Sequence, residues 1–355
     1  MAYEQEKGGR TMSTRRVIRV VLCFAVVLGL TVTAFAEEIV VCIWGGEFTK
    51  TERTAYFDPF EKETGITVKT VSFPEFAKIK AQVTSGNIEW DLVTAEHKWL
   101  IRGAKEGLFE PLDYSVIDTK EFLPDAVHEY GVFSEGYSHP IVYNTKKFSA
   151  QNHPRDWKEF WDVEKFPGAR SLYNNPAFSL EQALMADGVP SDKLYPLDVD
   201  RAFKSLDKIK PHILVWFKNN SHAAQLMSQQ EVDLIAAGHG RMYFIAAEGA
   251  PVAIETNQAI IDKSFWVVLK GTKHKATAMK LINYITRVKR QAEWVNLYAM
   301  VVANKAAYDS VKPEILAILP TSPQNIKKSI WMNSQWWSEN EAKMFERWNE
   351  WMMKK

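Results

Sequence analysis

The stretch IVVCIWGGEFTKTERTAYFDPFEKETGITV (Ile39–Val68) decides the fold class. Ile39–Ile43 is an unbroken apolar run of strand length that stops at Trp44-Gly45-Gly46. A helical segment is expected from about Thr51, bent at Pro59 and closed by Gly65, because glycine adopts the left-handed conformation that ends helices. Ile66–Val71 alternates apolar and polar side chains and reads as a second strand. Glu75–Val83 reads as helix and Asp91-Leu92-Val93 as a third short strand. This β-α-β-α-β order implies an α/β fold, a parallel sheet covered by helices on both faces. Ligands of such sheets bind beyond the carboxyl ends of the strands. Those ends are Trp44–Glu47, Ser72–Phe76 and Thr94–His97.

Upstream lies a different kind of segment. Arg15, Arg16 and Arg19 precede an apolar run, Val20–Val32, and Ala34-Phe35-Ala36 stands directly before Glu37-Glu38. That order is the signature of an export signal, with cleavage expected after Ala36. The run of 13 residues is short of the roughly 20 that a membrane-spanning helix needs, which argues against an anchor. Export points to the periplasm and excludes most roles that depend on ATP, NAD or nucleic acid. After residues 1–36, 319 residues remain, long for one core and typical of two lobes. The whole chain has a formal net charge of +1; losing five basic residues (Lys7, Arg10, Arg15, Arg16, Arg19) and two acidic ones (Glu4, Glu6) leaves −2. A near-neutral protein has no concentrated basic face for a phosphate backbone. Cys42 is the lone cysteine after the signal and sits in a strand, so no internal disulfide is expected.

Downstream, a second strand-helix series begins near Ile141. Leu206–His212 and Gln229–Gly238 hold strand-like ends around a helical His222–Ser228, Phe265–Leu269 is strongly β-forming, and Lys275–Val288 reads as helix. Phe345, Trp348 and Met352 fall at helical spacing, and five of the 13 Trp lie between Trp331 and Trp351. A stripe at that period is usually a packed face, here fixing the chain end to the core. Enzyme and cofactor motifs are missing: there is no HExxH, GxSxG, P-loop or complete GxGxxG, and the eight His lack metal-ligand spacing. A binder with no cofactor and no metal is the expectation. A catalytic triad assembled from distant residues stays open as an alternative.

Trp44-Gly45-Gly46, FDPFEKETGITV (Phe57–Val68), SGNIEWDLV (Ser85–Val93), DWKEFWDVEKFPGAR (Asp156–Arg170), ALMADGVP (Ala183–Pro190) and LPTSPQN (Leu319–Asn325) are collinear and together resemble the extracellular solute-binding proteins of polyamine-type ABC importers. The resemblance covers 37–355. It implies a two-lobed periplasmic-binding-protein fold of type II, each lobe a mainly parallel sheet flanked by helices, with a ligand cleft at the hinge. It places 37–140 with 262–303 in the first lobe and 141–261 with 304–355 in the second. Crossings fall near His139–Tyr143, Asn257–Phe265 and Ala303–Ala307. It implies a monomer that captures a small amine-bearing solute, a polyamine such as putrescine or spermidine or a zwitterion such as γ-aminobutyrate, and hands it to an inner-membrane permease. A sugar-binding receptor and an exported enzyme of the same fold are the alternatives.

The resemblance also nominates site residues. Asp262, just before the Phe265–Leu269 strand, is where this family tends to hold a ligand amine. Arg241, in Gly238-His239-Gly240-Arg241, matches a family string Trp-Asn-Gly-Arg whose Arg meets a carboxylate with two parallel bonds. Gly238 and His239 depart from that string and put its aromatic wall in doubt. Trp44 and Glu47 end the first strand, and Glu96 ends the third, where it could pair with an amine. Tyr173 precedes a helix start, whose free N–H groups attract anions. Trp216 offers a face for a cation or else belongs to the core, and of Phe265 and Trp266 at most one faces the cleft.

Overall fold

In the computed structural model, which describes residues 1–3 and 37–354, eight principal strands run through Glu38–Lys354: β1 (Glu38–Ile43), β2 (Thr67–Ser72), β3 (Leu92–Glu96), β4 (Gly131–Asn144), β5 (Arg170–Tyr173), β6 (Ile213–Phe217), β7 (Leu234–Ala236) and β8 (Val252–Val268). The proposed export signal lies outside the described residues. The strands form one sheet in the order β2-β1-β3-β8-β4-β7-β5-β6. At one end β2, β1 and β3 are parallel; at the other β7, β5 and β6 are parallel. Between them β8 and β4 pair antiparallel, and each belongs to both ends of the molecule. The fold is α/β and two-lobed, as expected, with its lobes joined by a shared ribbon.

Local sequence explains the first lobe directly. Ile39, Val41, Cys42 and Ile43 are fully buried, so the unbroken apolar run is a strand covered on both faces. The following helix begins at Gly46, before Thr51, and continues through Pro59 to Thr64. Proline is tolerated there because it stands in the first turn of its α-helical segment. Gly65 ends the helix at φ 74°, its N–H donating to the Glu61 carbonyl at 2.8 Å. In the second lobe Leu206–His212 is not a strand end. It finishes a helix, Val199–Ile209, and a 3-10 turn, and the strand starts one residue later at Ile213. Ala202, Phe203, Leu206 and Ile209 are buried at helical spacing, a period that short apolar windows conceal.

Burial separates two main bodies. Val132, Phe133 and Phe265–Leu269 pack in the first core; Ile141, Tyr143 and Ile260 pack in the second. The ribbon therefore passes between cores at residues 134–140 of β4 and 261–264 of β8. Ala303, Ala307, Val311, Ile315 and Leu319 all stay with the first core, and Ile330 is in the second, so the third passage comes later than Ala303–Ala307. After it, Ile330-Trp331 adds a short parallel strand to β8, and the helix Ser334–Met353 closes the chain. That helix is capped by the Asn333 side chain, which accepts from the Trp336 N–H. Trp337, Met344, Trp348 and Trp351 bury into the second core, so that face of the helix is packed, while Phe345 and Met352 are half-buried and Trp331 before it is exposed. Among the described residues no helix is long and apolar enough to cross a membrane.

Trp348 is 1% exposed and packs on Trp351, Trp216 and Phe203. Trp348→Ala should cost about 3–5 kcal/mol, the range for truncating a buried aromatic, read as a lower urea midpoint. A loss below ~1 kcal/mol would mean that the terminal helix does not anchor the second lobe.

Candidate functional site

The ribbon sets the floor of the site. Strand alternation and the pairing Tyr137↔Asp262 and Glu135↔Ser264 put Glu135, Tyr137 and Asp262 on one face. Asp262 is 2% exposed. It accepts from the Tyr137 hydroxyl at 3.3 Å and from the Lys263 N–H at 2.8 Å. Burial pushes its carboxyl up to about 7, helped by the negative charge of Glu96 and opposed by Lys98. At neutral pH this acid is poised to ionise when a cation arrives.

Glu96, at the end of β3, is ion-paired with Lys98 at 2.5 Å. Lys98 also reaches Glu341 of the terminal helix at 3.0 Å, and the Trp99 indole N–H donates to Glu341 at 3.2 Å. Trp44, at the end of β1, donates its indole N–H to Glu135 at 2.8 Å and lies 6.2 Å from Trp99. Desolvation raises the carboxyls of Glu135 and Glu52, each buried and close to the other. On the second lobe Tyr173 stacks on Phe217 at 5.1 Å, and His139 stacks on Phe178 at 4.0 Å. Burial lowers His139 to about 3, so its ring is a neutral wall.

Arg241 enters from the second lobe. The residue is 7% exposed, and its guanidinium lies 5.7 Å from the Tyr298 ring and donates to Ser221 Oγ at 3.3 Å. Its Nε has no hydrogen-bond partner, and among the described residues it makes no ion pair. Facing it is Gly46 of the first lobe, at φ 61°: a Cβ there would lie 2.9 Å from Arg241 Nη2 and 3.1 Å from Ser221 Oγ. The left-handed φ is what favours glycine here, and a side chain would also push against the ends of Arg241 and Ser221. The departures from the family string also have physical reasons. His239 Nδ1 accepts from the Ser138 N–H at 3.0 Å, so Nε2 carries the proton and donates to the Ala299 carbonyl at 2.8 Å. His239 therefore ties the ribbon to the first core, and burial holds it neutral by lowering it to about 4. A Cβ on Gly240 would sit 2.8 Å from the Tyr298 carbonyl oxygen, which lets helix His239–Ala247 approach that backbone. Tyr298 is 3% exposed, and its ring lies against the Arg241 guanidinium.

Among the sequence candidates, Trp44, Glu96, Tyr173 and Asp262 gather over the ribbon or at its edges, and Arg241 lies beside Gly46, Ser221 and Tyr298. Glu47 turns to an exposed ion pair with Lys50. The Trp216 ring packs edge-on against Trp348 and Trp351 at 5.6 and 5.5 Å. Phe265 lies on the face of β8 opposite Asp262, 1% exposed, against His97 and Phe133. Sequence reasoning missed Lys98, Glu135, Tyr137, His139, Phe178 and Glu341. The one usable signal was alternation in Glu135-Gly136-Tyr137-Ser138-His139, hidden because the segment lacks β-branched residues. A separate, mostly apolar cavity of about 700 Å³ opens behind the ribbon, lined by Lys263, Phe133, Val301 and Trp331 and by none of the candidates. No group of residues able to hold a metal occurs among the described residues.

With this geometry in view, comparison with known proteins is informative. Residues 55–321 match the family described as bacterial extracellular solute-binding protein. The chain belongs to that family. It is 32% identical over 335 residues to the γ-aminobutyric acid-binding protein of Pseudomonas aeruginosa, covering 92% of this chain and 94% of that protein. It is 23% identical over 293 residues to the spermidine/putrescine-binding periplasmic protein of Escherichia coli, covering 78% and 82%. Among solved structures, an ABC transporter substrate-binding protein from Bradyrhizobium japonicum is 39% identical with a TM-score of 0.83, over 89% of this chain and all of that one.

Asp262 gives a pH signature. Its folded carboxyl titrates near 7 and an unfolded one near 3.9. Its contribution is therefore fully present below about pH 4 and is lost as pH rises through about 7. Without ligand, the melting temperature of Asp262→Asn minus that of wild type should climb between pH 4 and 8 and then level off. A pH-independent difference would show that the acid is not held in its neutral form.

Proposed function

We propose that this protein is the substrate-binding component of a bacterial ABC importer and that its ligand is a small ω-amino acid of the γ-aminobutyrate kind. The observation that carries this reading is Arg241: a buried guanidinium with an unpartnered N–H and no acidic partner among the described residues. A buried, unpaired charge is costly, and a ligand carboxylate would relieve it with two parallel bonds. Asp262, the acid poised near neutrality, takes the ammonium. A diamine would satisfy Asp262 and leave Arg241 facing a like charge. The identity to a γ-aminobutyric acid-binding protein over nearly the whole chain supports the same choice.

In this reading the first lobe comprises β1–β3, the adjoining halves of β4 and β8 and the chain through Leu319, and the second comprises the remainder. Ligand contact from both lobes favours the closed form, because only there do Asp262 of the ribbon, Gly46 and Arg241 act together. The protein works in the periplasm as a monomer after cleavage behind Ala36. It delivers its ligand to a membrane permease and has no catalytic role.

The test is thermal stabilisation of 37–355 by γ-aminobutyrate, other amino acids, putrescine, spermidine, betaines and sugars. A ligand present at 100 times its Kd should stabilise the fold by ~2.7 kcal/mol. Arg241→Ala should weaken γ-aminobutyrate binding tenfold or more by calorimetry. Equal losses for γ-aminobutyrate and a diamine would make Arg241 structural, and a response confined to sugars would overturn the reading.

A further inference from the structure

Lys98 stands out among the charged groups near the ribbon. Its side chain is 5% exposed and is held at 2.5 Å by Glu96 and 3.0 Å by Glu341. The Trp99 and Trp337 rings flank the ammonium at 5.9 and 5.8 Å. Burial would draw a proton off this ammonium, but Glu96, Glu341 and Asp262 outweigh that effect and keep it charged. Of the remaining acids, Glu52 has no hydrogen-bond partner on either carboxyl oxygen, and burial pushes it toward its neutral form. Glu135 accepts from Trp44 and Ser134. Glu181 accepts from Tyr195 at 2.5 Å and from Trp337 at 2.7 Å. Asp262 receives only a long hydroxyl bond and a backbone N–H.

We propose that Lys98 is a specificity-determining residue: a resident ammonium, clamped between acids from both lobes, that fills a second cation position and leaves the site able to accept one ligand ammonium. The inference rests on the ω-amino acid reading and deepens it, since it explains how a site with several acids beside Asp262 rejects a dication. Two ammonium groups beside each other in a buried site repel strongly. A diamine long enough to reach past Asp262 meets Lys98 where it would need a free carboxylate. Rejection of the wrong ligand by a fixed like charge is a recognised route to specificity. Glu96, expected from the sequence to hold an amine, holds one supplied by the chain itself. The Lys98–Glu341 bond also joins a first-lobe helix to the terminal helix of the second lobe.

The experiment replaces the ammonium and reads selectivity. Wild type, Lys98→Met and Lys98→Arg are titrated calorimetrically with putrescine and with γ-aminobutyrate at pH 7. Lys98→Met should gain at least tenfold in putrescine affinity and should raise the ratio of putrescine to γ-aminobutyrate affinity by at least as much, whereas Lys98→Arg should keep putrescine out. A folded Lys98→Met with no gain for putrescine, or with both ligands weakened alike, overturns the proposal and makes Lys98 a structural bridge. Should Lys98→Met fail to fold, Lys98→Met/Glu341→Gln removes one charge of each sign, keeps Glu96 free and carries the same expectation, with no gain again counting against it. Wild type that binds neither ligand refutes the ω-amino acid reading, whereas the fate of Lys98 is still decided by whether the variants acquire putrescine binding.

Discussion

Everything in the molecule hangs on the antiparallel pairing of β4 with β8. It is the sheet connection between two parallel blocks that would otherwise be separate cores, since β3 pairs with one end of β8 and β7 with the other end of β4. The pairing is irregular on both sides of its middle: register shifts fall between Phe133 and Glu135 and between His139 and Ile141. Such irregularities bend a strand and increase its twist. The intervening stretch carries Glu135, Tyr137 and His139 opposite Ser264, Asp262 and Ile260. The segment that joins the two cores is therefore the one that holds Asp262, the proposed ammonium acceptor. A ligand touching Asp262 touches the hinge itself.

Around that hinge, charge is buried only where a partner compensates it. His139 and His239 are kept neutral by desolvation, and Glu52, Glu135 and Glu181 are pushed toward their protonated forms. Lys98 keeps its charge because two acids surround it. Arg241 is the exception, a cation without an anion, whereas Asp262, like Glu52, Glu135 and Glu181, is a buried acid raised by desolvation and has no cation in direct contact. The proposed zwitterion site rests on Arg241 and Asp262, two groups of opposite sign, rather than on aromatic content. The tryptophans mostly serve packing, as Trp216, Trp337, Trp348 and Trp351 illustrate.

Much of the fold was legible because local rules governed it. The first lobe reads directly: an apolar run too short for a helix, a helix-closing glycine at Gly65, and an alternating strand after it. Where the reading failed, a local signal was ambiguous. Leu206–His212 has strand-like composition but buries its residues at helical spacing. Phe265 has the residue type of a ligand wall, yet the parity of β8 turns it away from Asp262. Lys98 had no signal at all, because a lysine two residues after a glutamate on a helix start is ordinarily a solvated pair.

By itself, then, the sequence determined the strand-helix alternation, the family, and the candidacy of Asp262 and Arg241, since these depend on residues near one another in the chain. Only the tertiary structure decided which charges are compensated. Glu96 meets Lys98 within one helical turn, but Glu341 reaches that lysine from more than two hundred residues away. Gly46 and Arg241 likewise come together only when the lobes meet. Whether a charged side chain is available to a ligand depends on every other charge within a few ångströms in a medium of low dielectric. That is a property of the folded arrangement, and no window of sequence contains it.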